Sequence, residues 1–116
     1  MDRTSRIAGE MRRIISQIIM TEIKDPRLPL MTSVMDIDLA KDLKYAKVYV
    51  SVYGSDTERK AALDALHSAE GFIRRGVGKS MTIRYVPELT FIIDQSIERG
   101  AYMSSLIDKV ISEDKK

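Results

Sequence analysis

The sequence has 116 residues, 44% of them hydrophobic and 31% charged, with a formal net charge of +2. A chain of this length builds one apolar core. Its apolar residues recur with regular periods, which excludes an intrinsically disordered protein. It contains no cysteine, which excludes disulfide frameworks, thiolate metal sites and cysteine nucleophiles. No apolar run approaches the roughly 18 residues of a membrane span, and the N-terminus lacks a signal-peptide pattern. We expect a cytoplasmic protein without membrane association.

The first half of the chain predicts a helix followed by two strands. Residues 4–24 carry an apolar stripe at helical spacing, and Asp25-Pro26 ends that helix. Alternation then predicts a strand with Met35, Ile37 and Leu39 on its buried face and a second strand with a similar pattern over residues 45–53. Only residues 40–44 separate the two, so they should form an antiparallel hairpin.

A bent helix should follow the hairpin. Ser55 and Glu58 have the spacing of a capping box, and the buried stripe that begins there continues past Gly71. Glycine in a helix interior is unfavourable and is one of the few causes of sharp bends, so we expect a kink at this position. Gly76 and Gly78 should shorten the second half of the bent helix.

The remainder predicts a long third strand and a last helix. Alternation runs from Met81 to Ile93, with Pro87 requiring a sheet edge or a bulge, and helical spacing returns over residues 103–111. Residues 113–116 should fray, which leaves residues 1–112 as one domain. The order α-β-β-α-kink-α-β-α predicts an α+β fold with a three-stranded sheet, helices packed on one face and the other face open to water. The patterns do not give the strand order.

Charge is segregated along the chain. Residues 67–86 have a local net charge of +3 and residues 87–98 a net charge of −3. We expect the cations of the first segment to converge on one edge, where they could neutralise phosphates. Arg3, Arg6 and Arg13 of the first helix lie on its polar side and could extend this patch or simply keep the helix soluble. The candidate phosphate-binding residues are Arg74, Arg75, Lys79, Arg84, Arg6 and Arg13.

Four other features have weaker functional interpretations. Tyr45, Lys47, Tyr49 and Tyr53 could stack bases, as in a general single-stranded RNA-binding module, although tyrosine is favoured on any half-exposed strand. Gly78-Lys79-Ser80 lacks the upstream glycine of a nucleotide-binding P-loop, since position 73 is isoleucine. The pair Asp36 and Asp38 and the single histidine, His67, have no partners at catalytic or metal-binding spacing. We expect no enzymatic activity, no metal and no cofactor.

Motifs along nearly the whole chain, residues 3–111, make it similar to the bacterial ribosome-binding factor A family. None is decisive alone, but their order and spacing are specific. They are Asp25-Pro26-Arg27, Asp42-Leu43, Val48-Tyr49-Val50-Ser51, Ala69-Glu70-Gly71, Ile73-Arg74-Arg75 and Arg84-Tyr85-Val86-Pro87-Glu88-Leu89, with Asp94, Ser96, Glu98 and Gly100 beyond them.

This resemblance implies a KH-like fold of the second type, in which an Ala-x-Gly kink replaces the Gly-x-x-Gly loop. Ala69-Glu70-Gly71 is the only Ala-x-Gly in the chain. The resemblance also implies binding to the free 30S ribosomal subunit and its 16S rRNA, support of late 30S maturation and 16S rRNA processing, and a role in growth in the cold. The family is not known as an enzyme, and we expect a monomer.

Overall fold

The computed structural model describes residues 3–29 and 32–94. Within them the chain forms three helices and three strands in the order α-β-β-α-α-β. The elements are α1 (Arg3–Thr21), β1 (Ser33–Leu39), β2 (Tyr45–Ser51), α2 (Asp56–Ser68), α3 (Glu70–Ser80) and β3 (Glu88–Ile93). The predicted last helix over residues 103–111 and the tail 113–116 lie outside the described residues.

The three strands form a mixed sheet in the order β1-β2-β3. The β1–β2 pair is antiparallel, as the short connection predicted. The β2–β3 pair is parallel, with Val48 opposite Phe91, because α2 and α3 carry the chain back to the start of the sheet. This mixed sheet with two helices between β2 and β3 confirms the predicted α+β, KH-like arrangement.

The apolar core lies between one face of the sheet and the helices. Val48 and Phe91 on the strands, Met11 and Ile15 on α1 and Ile73 on α3 are all buried. The other sheet face is polar, since the alternate strand positions are mostly exposed. The predicted packing of helices on one face of the sheet is therefore confirmed.

The predicted inward position of Met35 is wrong. The register of β1 on β2 shifts between Val34 and Asp36, so Met35 is an extra residue that β2 does not match. Such a bulge reverses the alternation on one side of it. Val34 is consequently buried, at 6% exposed, and Met35 is 37% exposed.

The predicted third strand is too long. β3 begins at Glu88, and residues 81–87 run alongside α1 without joining the sheet. Pro87 is fully buried immediately before the strand. It has no N–H to donate to a ladder, and the preceding carbonyl, of Val86, accepts a hydrogen bond of 3.0 Å from Arg74 Nη2. The alternating apolar residues of this segment therefore reflect packing on the helices.

The capping box and the break in the second helix are both confirmed. Ser55 Oγ accepts from the Glu58 N–H, and Glu58 Oε1 accepts from the Ser55 N–H, both at 3.2 Å. The second of these bonds stabilises the carboxylate and lowers the pKa of Glu58. The break lies at Ala69, whose φ and ψ of −91° and 2° separate α2 from α3. Gly71 lies inside α3, two residues after the break, and a Cβ there would meet only Arg75 Nη1, at 3.6 Å, so close packing does not require glycine at this position.

The expected shortening by Gly76 and Gly78 is also wrong, since α3 continues to Ser80. A Cβ on Gly76 would lie 2.6 Å from Ile18 Cδ1, closer than real carbon atoms approach. Gly76 therefore marks the place where α3 lies closest to α1. Ile23, just after α1, and Phe72, near the start of α3, line one surface concavity. Ile14 of α1 and Ser80 at the end of α3 line another, so α3 runs antiparallel to α1.

Candidate nucleic-acid interface

The outer side of α3 carries two of the predicted cations. Arg75 and Lys79 are exposed and one helical turn apart. Ile73 and Val77, on the opposite side of the helix, are fully buried in the core. Burial of that stripe holds the two cations away from the protein, where they can meet phosphates.

The outer side of α1 carries two more. Arg6 and Arg13 are exposed and lie opposite the buried Ile15 on the helical wheel. Gly76 brings α3 close to α1, and each pair of cations lies opposite the buried stripe of its own helix, so we infer that both pairs share the outer side of one helical layer. We call Arg6, Arg13, Arg75 and Lys79 the cationic helix surface.

Arg74 is placed differently from its neighbour Arg75. It is half-buried, and its Nη2 donates to the Val86 carbonyl. Its Nε is buried and has no hydrogen-bond partner among the described residues. In this position Arg74 holds the segment before β3 against α3, about 100° around the helix from Arg75.

Arg84 lies beyond α3 and faces a groove rather than the cationic helix surface. Its guanidinium carbon is 5.5 Å from the centre of the exposed Tyr85 ring, within the range of a cation–π contact. The same groove is lined by Arg3 of α1. The structure therefore places Arg84 at the same groove as Arg3, one of the three arginines of the first helix that could extend the predicted patch.

The kink residues orient α3. Ala69 is the break itself, and Glu70 begins the new helix, where a carboxylate is favourable. Glu70 Oε1 accepts a 3.0 Å hydrogen bond from the Leu89 N–H of β3. Together with the Arg74 contact, this bond fixes the direction in which α3 presents Arg75 and Lys79.

The Asp25-Pro26-Arg27 turn lies next to the kink, which sequence reasoning did not anticipate. Asp25 Oδ2 is 2.7 Å from Arg27 Nη2, and Arg27 Nε lies within reach of both carboxylate oxygens. Hydrogen bonds from the Arg27 side chain, then from its N–H, lower the pKa of Asp25 to about 2. The turn borders an open concavity of about 550 Å³ that also contacts Ala69 and the exposed Phe72. The sequence signal that could have indicated this concavity is Phe72, a large apolar residue on the polar side of the predicted helix.

The open face of the sheet has the opposite charge. Asp38 pairs across the strands with Lys47, Asp36 with Tyr49, and Tyr45 with Glu88. Tyr45 is 59% exposed. Three carboxylates against one lysine make this face unfavourable for a phosphate backbone.

The structure also gives the surroundings of the histidine and the acidic residues. The exposed His67 packs its ring 5.9 Å from the ring centre of the buried Phe91. Within residues 3–29 and 32–94, no three His, Asp or Glu side chains come together as a metal site. No helix in the described part of the chain combines the length and the apolarity that crossing a bilayer requires.

Comparison with known proteins gives one consistent family. The model of the family described as "Ribosome-binding factor A" matches residues 3–107. The chain belongs to the ribosome-binding factor A family. Ribosome-binding factor A of Acetivibrio thermocellus is 50% identical over 115 residues, which cover 99% of this chain and 94% of the relative.

Solved structures of relatives have the same fold. The solution structure of a Thermotoga maritima protein, described as a putative ribosome-binding factor A, has a TM-score of 0.70 and 31% identity, covering 78% of this chain and 85% of its own. A homology model of Thermus thermophilus ribosome-binding factor A, fitted into a cryo-electron microscopy map of its 30S complex, has a TM-score of 0.66. The two sequences are 24% identical, and the match covers 79% of this chain and 96% of the Thermus thermophilus chain.

Proposed function

We propose that this protein is a non-catalytic assembly factor that binds the free 30S ribosomal subunit through phosphates of 16S rRNA. It acts in the cytoplasm as a monomer with one RNA-binding domain, residues 1–112. Its binding supports late 30S maturation, 16S rRNA processing and growth in the cold. Family membership and the 30S complex of the Thermus thermophilus relative support the partner.

The observation that carries the site assignment is the shared outward side of α1 and α3. Four cations, Arg6, Arg13, Arg75 and Lys79, are exposed there, while the open sheet face is acidic. A phosphate backbone is therefore attracted to the helices and repelled by the sheet. Contacts of this kind read the shape and phosphate geometry of folded RNA rather than base sequence.

Charge reversal on α3 tests the assignment. Arg75→Glu combined with Lys79→Glu should abolish cosedimentation with free 30S subunits at moderate salt, because both changes place a negative charge where a phosphate is bound. Both side chains are exposed and support no packing, so the variant should stay folded. The slope of log K against log salt should fall by about 1.5 for two lost phosphate contacts. Lys41→Glu with Lys60→Glu makes the same charge change at two exposed sites outside this surface and should retain binding. Equal binding by both double variants would refute the assignment.

Particle selectivity tests the role in assembly. The wild-type protein should sediment with free 30S particles and not with 50S or 70S particles. Recovery on 70S ribosomes would instead indicate a role in translation.

Tyr49→Ala with Tyr53→Ala should leave 30S binding unchanged, because Tyr49 is bordered by Asp36 on the acidic face. A loss of affinity for short oligonucleotides in that variant would favour the single-stranded RNA-binding module.

A further inference from the structure

The groove next to Arg84 has the shape and chemistry of a small, specific site. It lies between the first turns of α1, the β1–β2 connection and residues 82–87, and its volume is about 240 Å³. Ile7, Leu43 and Ile83 line it and pack against the buried core. Sites for drug-sized ligands run from about 300 to 1,000 Å³, so this groove accepts a single flat ring system. We call it the Tyr85 groove.

One wall of the Tyr85 groove is held in an unusual backbone conformation. Leu43 has a φ of 62°, in the left-handed region that a leucine rarely occupies. Two neighbouring hydrogen bonds maintain it, from the Leu43 N–H to the Ala40 carbonyl at 2.9 Å and from the Lys44 N–H to Asp42 Oδ1 at 3.0 Å. The connection thus holds an apolar side chain at the groove, so the site is formed before any ligand arrives.

The rim of the groove is cationic and aromatic. Arg3 and Arg84 both line it and are exposed, and Tyr85 is 68% exposed. The Arg84 guanidinium lies over one face of the Tyr85 ring, so a base can stack on the outer side of the guanidinium or on the opposite face of the ring. Unpaired bases stack on such aromatic rings and guanidinium planes, and the phosphates on either side of the base need cations.

The interior of the groove disfavours a phosphate. Its floor is apolar, and Asp42 contributes a carboxylate to its lining. A carboxylate repels phosphate oxygens but accepts hydrogen bonds from the amino groups of adenine, cytosine or guanine. Uracil lacks an amino group and offers a carboxylate only its N3–H, so the other three bases offer Asp42 an amino donor that uracil does not.

We propose that the Tyr85 groove binds one unpaired RNA base, with Arg3 and Arg84 on the phosphates that flank it. This site rests on the proposed function and adds a base-specific contact to the phosphate contacts of the cationic helix surface. It selects RNA segments in which a base is already unstacked, because extracting a paired base costs free energy. The groove therefore distinguishes rRNA with a bulged or flipped nucleotide from a regular helix.

A fluorescent base analogue tests the proposal directly. The probes are an RNA hairpin with a single bulged 2-aminopurine and the same hairpin with that position fully paired. The wild-type protein should bind the bulged hairpin about tenfold more tightly, equivalent to about 1.4 kcal/mol, with a saturable change in fluorescence. Tyr85→Ala should remove this preference and leave binding to the paired hairpin unchanged, and Tyr85→Phe should retain it.

Tyr53→Ala is the matched control, since Tyr53 is 83% exposed and follows the other end of β2. It should keep the wild-type preference. Equal affinity of the wild-type protein for the two hairpins, or equal losses in Tyr85→Ala and Tyr53→Ala, would overturn the groove assignment. The proposed function fails separately, by survival of 30S binding in the Arg75→Glu, Lys79→Glu variant.

Discussion

Substitution of Gly76 by alanine tests how closely α1 and α3 pack. The new Cβ would lie 2.6 Å from Ile18 Cδ1, and Ile18 is itself only 5% exposed. Overpacking of this kind costs about 1–3 kcal/mol. Replacement of a helical glycine by alanine returns about 0.5–1 kcal/mol. We therefore expect Gly76→Ala to lower the free energy of unfolding by about 1 kcal/mol, the difference between these opposing terms.

A double-mutant cycle isolates the steric term. Ile18→Val removes the clashing Cδ1 and alone should cost about 1 kcal/mol. Combined with Gly76→Ala it should cost less than the sum of the two, with a coupling of about 1–2 kcal/mol. Gly9→Ala is the control, because no atom lies within 4 Å of that Cβ, and it should stabilise α1. Urea unfolding followed by circular dichroism measures all four variants. Simple additivity, or a gain in stability by Gly76→Ala, would refute the proposed close contact.

Two further predictions concern the groups around the kink. Folding lowers the pKa of Asp25 from 3.8 to about 2, so its carboxylate contributes stability above pH 4 that is lost as the pH falls towards 2. The difference in urea midpoint between the wild-type protein and Asp25→Asn should shrink over that interval, and a constant difference would contradict the assignment to the Arg27 ion pair. Glu70→Ala leaves the Leu89 N–H without its acceptor and should cost about 1–2 kcal/mol, measured by the same unfolding curves. Glu70→Gln, which keeps an acceptor oxygen, should recover most of that loss.

Periodicity predicted the helices and strands well because each described element buries one face. The stripe containing Met11 and Ile15 placed α1 to within a few residues, and Ser55 with Glu58 located the start of α2. The bulge at Met35 was not predictable, since Val34 and Met35 are adjacent apolar residues and either could face the core. Only the register with β2 shows which one does.

The errors near the third strand have a different physical origin. Met81 and Ile83 alternate like strand residues, but they pack beside α1, and no strand pairs with them in the described part of the chain. Alternation reports burial and does not report what covers the buried side. Parallel pairing of β2 and β3 likewise depends on residues far apart in sequence, so the local pattern left the strand order open.

The candidate site was predicted only in part. Charge and helical spacing identified Arg75 and Lys79 as exposed cations, because their position follows from the buried Ile73 on the same helix. The same reasoning could not distinguish Arg74 from these exposed cations, because its guanidinium binds a backbone carbonyl 12 residues later in the chain. Helical spacing placed Arg3 on the polar side of α1, but its position at the same groove as Arg84 depends on α3 turning back along α1.

The mixed sheet imposes an order on synthesis and folding. The partners of β2 in β1 precede it closely, so this hairpin can form as soon as residue 51 has emerged from the ribosome. The other edge of β2 stays unpaired until β3 is available, because Glu88, the partner of Tyr45, lies 43 positions further along the chain. Until then a nascent chain exposes an unpaired strand edge rich in valine, a surface on which chains aggregate. Slow translation between α2 and β3 would prolong that vulnerable interval, whereas early packing of α1 on the hairpin would cover its apolar face.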